Sequence, residues 1–148
     1  MSATVHSAIY DLLNGRVLTL DASPLPPVAW EDLKFDHRKL PDGTIWLKPN
    51  IFFNDPDDRF LGDEKPMLIG LYQLAVNQKQ RTGSIAYDVG ALADLANEIT
   101  EHFVRNTVLT GSGFSVRVEP SPFVSAPLVD DGVMSVPVTV PWVVRTTY

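Results

Sequence analysis

Val133-Met134-Ser135-Val136-Pro137-Val138-Thr139-Val140-Pro141-Trp142-Val143-Val144 alternates in character over most of its twelve positions. A period of two belongs to a β-strand, whose successive side chains point to opposite faces. Met134, Val136, Val138, Val140, Trp142 and Val144 then share one face, and Ser135, Pro137, Thr139 and Pro141 share the other. Backbone N–H groups also alternate sides along a strand, so Pro137 and Pro141 delete donors from the same lateral edge. That edge is expected to be unpaired over this stretch, or paired only through a bulge, and so protected from edge-to-edge aggregation.

Working back along the chain, Phe114, Val116 and Val118 alternate with Ser115, Arg117 and Glu119 as a half-buried strand, and Pro120–Pro127 holds a further short extended segment. Before it, Ile85, Val89, Leu92, Ala96, Ile99 and Phe103 step by threes and fours, which predicts one helix over 84–105 with Ser84 or Asp88 as its cap. Thr110-Gly111-Ser112-Gly113 closes that region. Ile45–Phe53 and Pro66–Gln78 are strand candidates that read as a long hairpin, with Asn54–Lys65 as a charged tip and Leu68, Tyr72, Leu74 and Val76 on one face of the second strand. Pro49 places the first of them at an edge or bulge. Pro41-Asp42-Gly43 is a turn signal, and Val28–Glu31 a short extended run. At the N-terminus Val5, Ile9, Leu12, Leu13, Val17 and Leu20 outline a second helix, capped by Ser2 or Thr4, weakened by Asn14 and Gly15, and stopped by the prolines of Asp21–Pro27. The expected fold is α+β: a mixed, mainly antiparallel sheet packed by two main helices, in a single domain spanning 1–148. A chain of 148 residues buries roughly 70% of its unfolded surface, enough to fold without a metal or disulfide.

Lys+Arg number 12 and Asp+Glu 18, for a net charge of −6. An acidic chain with scattered cations lacks the phosphate-neutralising surface that nucleic-acid binding requires. The absence of cysteine removes disulfides, thiolate chemistry and Cys-ligated metal centres. Neither a secretory leader nor an apolar run of membrane-spanning length is visible. His6, His37 and His102 form no metal-ligand spacing, and His102, with Glu98 and Glu101 near it, reads as part of a solvated helix face. No serine lies in a nucleophile elbow, and Gly111-Ser112-Gly113 follows a helix where a phosphate loop would open one. The acidic stretch with Asp55, Asp57, Asp58, Asp63 and Glu64 fails as a calcium loop, because Phe60 and Pro66 stand where glycine and glutamate are needed. No catalytic residue, metal ligand or cofactor is therefore assigned. Trp30, Trp46, Phe52, Phe53 and Trp142 read as core, except that consecutive Ile51, Phe52 and Phe53 put bulk on both faces of a strand end. Either both faces are covered within the monomer or one meets another subunit.

Taken in order, the N-terminal helix, Pro27-Val28-Ala29-Trp30-Glu31, the strand Gly70-Leu71-Tyr72-Gln73-Leu74-Ala75-Val76, the helical Ala91-Leu92-Ala93-Asp94-Leu95-Ala96 and the closing Asp130-Asp131-Gly132 with Val136-Pro137-Val138-Thr139-Val140-Pro141 resemble the tail terminator proteins of long non-contractile-tailed, lambda-like bacteriophages. The resemblance implies an α+β domain without enzymatic activity that forms a homo-hexameric ring. The ring would cap the tail tube, end its polymerisation and form the head-tail joining surface toward a head-completion or neck protein. Partners would be further copies, the tail tube protein and that neck protein, with DNA passing through unbound and no membrane involved. The location would be the head-proximal end of the virion tail, and the host cytoplasm during assembly. The charged tip is the expected tube or subunit interface, through Asp55, Asp57, Asp58, Arg59 and Phe60. The competing readings are a neck or tail-completion protein of related fold, and a small cytoplasmic hydrolase or ligand-binding domain.

Overall fold

The computed structural model describes residues 2–20, 26–30, 39–41, 43–54, 67–79, 87–111, 114–130 and 132–146. In chain order its elements are α1 (Ser2–Val17), β1 (Ile45–Asn54), β2 (Met67–Lys79), α2 (Val89–His102), β3 (Val108–Thr110), β4 (Phe114–Val118), β5 (Phe123–Val124), β6 (Leu128–Asp130) and β7 (Val133–Thr146). The strands make one sheet in the order β1-β2-β7-β4-β3, with β5 and β6 also on β7, and every strand pair is antiparallel. The one parallel element among the described residues is the bridge between Val28 and Leu47.

β7 is the strand on which the sheet is built. One side of it pairs with all of β2, from Lys79↔Val133 to Met67↔Arg145. Its other side corrects the expectation of an unpaired edge. Three short strands share it: β6 opposite 133–135, β5 opposite 138–139 and β4 opposite 142–146. The breaks fall at Pro137 and Pro141, which lack the N–H that a continuous ladder needs. Their carbonyls remain in use, accepting from the Ser125 and Glu119 amides at 2.9 and 3.1 Å. The proline spacing thus divides the edge among three partners. At the opposite margin of the sheet, the outer side of β1 is held by residues 27–29 through Leu47 N–H to Pro27 O at 2.8 Å and Ala29 N–H to Leu47 O at 2.7 Å. Pro49, two residues further on, faces that same outer side, as an edge strand allows.

Both helices pack on one face of the sheet. Tyr72, Leu74 and Val76 of β2, Val116 and Val118 of β4, and the even-numbered run Val136–Val144 of β7 are buried there against Ile9, Leu13 and Val17 of α1 and Leu92, Ala96, Ile99 and Phe103 of α2. Each such side chain withdrawn from water contributes on the order of 1.5–3 kcal/mol before entropy is counted. Asn14, unfavourable mid-helix by propensity, accepts a hydrogen bond from the Tyr72 hydroxyl at 2.7 Å, which anchors α1 to β2. Phe53, Gly70 and Trp142 are aligned across β1, β2 and β7. Gly70 leaves room for the two rings to meet edge-to-face at 5.4 Å, and His6 of α1 closes on Phe53 at 4.3 Å.

α2 is shorter than its apolar pattern predicts. Asp88 caps it by accepting from Ala91 N–H at 3.1 Å, so the helix opens at Val89, which is itself exposed. It ends at His102, and Asn106, with φ of 74°, turns the chain toward β3. Ile85 and Ser84 lie outside the described residues. Gln78, fully buried on β2, ties the hairpin base to this helix: its amide donates to Gly43 O at 3.1 Å and its oxygen accepts from Asp88 N–H at 2.6 Å.

Candidate assembly surfaces

Side chains alternate along β2, so if one face of the sheet carries the helices, the other is free of them. On that second face β1 presents Trp46, Lys48, Asn50 and Phe52, and β2 presents Ile69, Leu71, Gln73, Ala75 and Asn77. Trp46 is buried, but Phe52 is half exposed beside its cross-strand neighbour Leu71, which also reaches solvent, and Lys48 is exposed on the same face. Ile51, Phe52 and Phe53 therefore divide as their order dictates: Ile51 and Phe53 lie toward the core, and Phe52 faces away from it.

A second apolar surface lies across the sheet, beyond β7. Phe123, Val124, Leu128 and Val129 leave between 45 and 61% of their surface exposed. Consecutive residues point to opposite faces, so these strands show apolar groups on both sides. Among the described residues no strand pairs with the outer edge of β5 or β6. Asp130, exposed, ends this flank.

The helix ends meet in a polar junction. Arg16 donates from Nε and Nη2 to the His102 carbonyl at 3.2 and 2.9 Å, satisfying a terminal acceptor of α2. In return, the His102 ring reaches the Arg16 carbonyl through Nε2 at 2.9 Å, with Thr19 Oγ1 2.7 Å from the same nitrogen. The Thr19 hydroxyl donates to Arg16 O, which assigns the donor role to Nε2–H. Burial pushes the His102 pKa below its ordinary value of 6.5; the bond to Arg16 O acts in the opposite direction, and the Arg16 charge adds to the lowering. His102 is thus part of an interhelical clamp, a correction to its reading as a solvated helix residue.

Among the described residues no group of three His, Asp or Glu side chains is placed to hold a metal ion, and no helix is long and apolar enough to cross a membrane. What the geometry offers is exposed apolar surface, at Phe52 and Leu71 and at Phe123, Val124, Leu128 and Val129. The family model for phage tail terminator proteins matches residues 8–142. The chain belongs to the phage tail terminator family. No curated protein matches it in sequence. One solved chain, which carries no functional name, covers all of this one and 98% of its own length at 21% identity and a TM-score of 0.69. At that identity the likeness shows a shared fold.

The tail terminator is a structural protein of the phage tail, a completion component and not an enzyme. Asp55, Asp57, Asp58, Arg59 and Phe60, the interface expected from the sequence, lie outside the described residues, as does the rest of the 55–66 connection. The apolar flank at Phe123, Val124, Leu128 and Val129 escaped the sequence reading. Its signal was the consecutive pair Leu128-Val129 between Pro127 and Asp130, where alternation fails and no residue is left to face water.

Proposed function

We propose that the tail terminator assembles as a ring of six copies on the end of the finished tail tube, stops the addition of tube subunits and offers the surface to which the head-completion or neck protein joins. Family membership supplies the terminator role, and one observation carries the step to assembly. Large apolar side chains stand in solvent on β5 and β6, whose outer edges have no strand partner among the described residues. Exposed large apolar side chains gathered along one sheet margin are what an interaction site leaves uncovered in the free chain. Growth stops when the ring's tube-facing side fits the last tube subunits and its other side cannot accept more. Six copies at −6 each carry −36, and any share of that charge lining the channel repels DNA phosphates and lets DNA slide through without specific binding. On sequence grounds the tube contact is assigned to Asp55, Asp57, Asp58, Arg59 and Phe60. The protein then works at the head-proximal end of the tail, after assembly in the host cytoplasm.

The test is to polymerise purified tube protein with and without the terminator and view the ends by negative-stain electron microscopy. Rings on tube ends and arrested elongation are expected. Unchanged elongation with bare ends would overturn the reading.

A further inference from the structure

We propose that Asn14-Gly15 is a self-modifying site gated by the docking of α1. While the helix is off the sheet the pair loses ammonia and converts to an aspartyl or isoaspartyl residue, and once the helix is docked the pair is held unreactive. The inference concerns a single chain and stands apart from the ring reading.

The chemistry needs an asparagine followed by a residue whose backbone nitrogen can reach the side-chain amide. The chain has six asparagines, and only Asn14 precedes glycine. Asn50, Asn54, Asn77, Asn97 and Asn106 are followed by Ile51, Asp55, Gln78, Glu98 and Thr107, whose side chains crowd that approach and narrow the backbone angles that permit it. In the step itself the Gly15 nitrogen gives its proton to hydroxide and attacks Cγ of Asn14. A C–N bond forms, the Cγ–Nδ2 bond breaks, and Nδ2 leaves as ammonia with a proton taken from water. Water then opens the cyclic imide at one carbonyl or the other. One water is consumed and one ammonia released, with nothing oxidised or reduced.

The fold decides when this happens. Gly15 is exposed, with no heavy atom within 4 Å of the position a Cβ would take, so its own helix is what restrains it. The helical ladder assigns the Gly15 N–H to the Asp11 carbonyl, and the Asn14 carbonyl accepts from Leu18 N–H at 3.3 Å. Deprotonation, and the rotation that carries the nitrogen over Cγ, both require this turn to open. Asn14 Oδ1 accepts from the Tyr72 hydroxyl at 2.7 Å, which fixes the electrophilic carbon against β2. Tyr72 is fully buried on the sheet, so that bond exists only while α1 is docked through Ile9, Leu13 and Val17. The reaction therefore draws on a locally open state, whose population α1 docking sets.

The product is lasting. An isoaspartyl residue routes the main chain through Cβ and adds an atom ahead of Arg16 and Val17. Val17 then falls out of phase with Ile9 and Leu13, and Arg16 out of register with the His102 carbonyl it caps. The aspartyl product keeps an acceptor for Tyr72 but sets a charge at a half-buried position. A chain that leaves α1 undocked is thereby marked chemically.

The test incubates the full chain at mildly alkaline pH with and without denaturing urea. Amide-to-acid conversion is read at each asparagine by peptide mass spectrometry, and isoaspartate by enzymatic methyl labelling. In urea, position 14 is expected to convert fastest of the six asparagines. In buffer it should convert at least about tenfold more slowly, as the population of an open state governs. Tyr72→Phe should speed conversion in buffer about fivefold, the effect of one hydrogen bond, and leave the rate in urea unchanged. Equal rates in buffer and urea would overturn the gating, and faster conversion of another asparagine in urea would overturn the site. A Tyr72→Phe variant with unchanged circular dichroism and an unchanged rate in buffer would remove the hold assigned to Tyr72. Hydrogen exchange of the Gly15 amide in the unmodified protein gives a measure that needs no variant: exchange slowed in buffer in proportion to conversion supports the gate, and conversion without exchange overturns it.

Discussion

Two glycines show how the same substitution changes sign with its surroundings. Gly15 is in the interior of α1 with no heavy atom within 4 Å of the position a Cβ would take. There glycine costs helix stability through backbone entropy, so Gly15→Ala is expected to stabilise the protein by about 0.5–1 kcal/mol, measured by urea unfolding. Gly70 is enclosed. A Cβ there would fall well under 3.0 Å from the Phe52 carbonyl oxygen and the Trp142 ring, and neither can yield without disrupting the β1–β2 ladder or the edge-to-face contact with Phe53. Gly70→Ala is expected to cost about 3 kcal/mol in the same measurement, the upper part of the usual range for overpacking. His102 makes a third residue-level prediction. Its pKa is lowered in the folded protein, so below about 6.5 the unfolded chain takes up the proton first, and stability present above that value is lost as pH falls toward the folded pKa. The charges placed around it are Arg16 across the junction and Glu98 and Glu101 of α2, which line the same depression. Thermal unfolding followed from pH 8 to 5 should show this decline, and His102→Gln should flatten it. An identical slope in the variant would assign the decline to other groups.

At the scale of elements, Gln78 carries more than its place on a strand requires. It is the buried joint between the turn before β1 and the first turn of α2. Gln78→Leu keeps the volume but strands the Asp88 N–H and Gly43 carbonyl, and should cost about 2–4 kcal/mol, against about 1 kcal/mol for removing the neighbouring cap with Asp88→Ala. Equal losses for the two would show that the cap, and not the joint, holds the helix start. This joint also marks where sequence stops being informative. β7 and β4 were legible because one buried face imposes strict alternation, and the later part of α2 because Leu92, Ala96, Ile99 and Phe103 all face the sheet. The start of α2 was legible only as two alternatives, Ser84 or Asp88; Asp88 is the cap, and a glutamine from another element holds it in place, while the apolar period alone would run past it to Ile85. The paired edge of β7 was misread for a related reason. Prolines forbid individual hydrogen bonds, but only the chain's return path decides whether short strands fill the intervals between them. β5 and β6 hold too few residues for any period to appear, so the apolar flank they form became visible only with the fold.

For the whole molecule, the stability of the hairpin strands and the role of the connection between them can be tested separately. The β1–β2 ladder runs through ten cross-strand pairs from Ile45↔Gln78 to Asn54↔Ile69, and its base is fixed by Gln78 and by the Lys79 and Thr44 backbone groups. By loop-closure entropy alone, halving the length of such a connection changes its closure free energy by only about 0.6 kcal/mol. If Asp55, Asp57, Asp58, Arg59 and Phe60 meet the tail tube, replacing residues 55–66 with a six-residue Gly/Ser link should leave the unfolding midpoint nearly unchanged and abolish binding to tube ends and control of tail length. Stability and tube binding separate the alternatives. A fall in stability would show that the connection serves the fold. Tails of normal length in a phage carrying the shortened protein would exclude the connection from tube recognition and move that contact to the sheet.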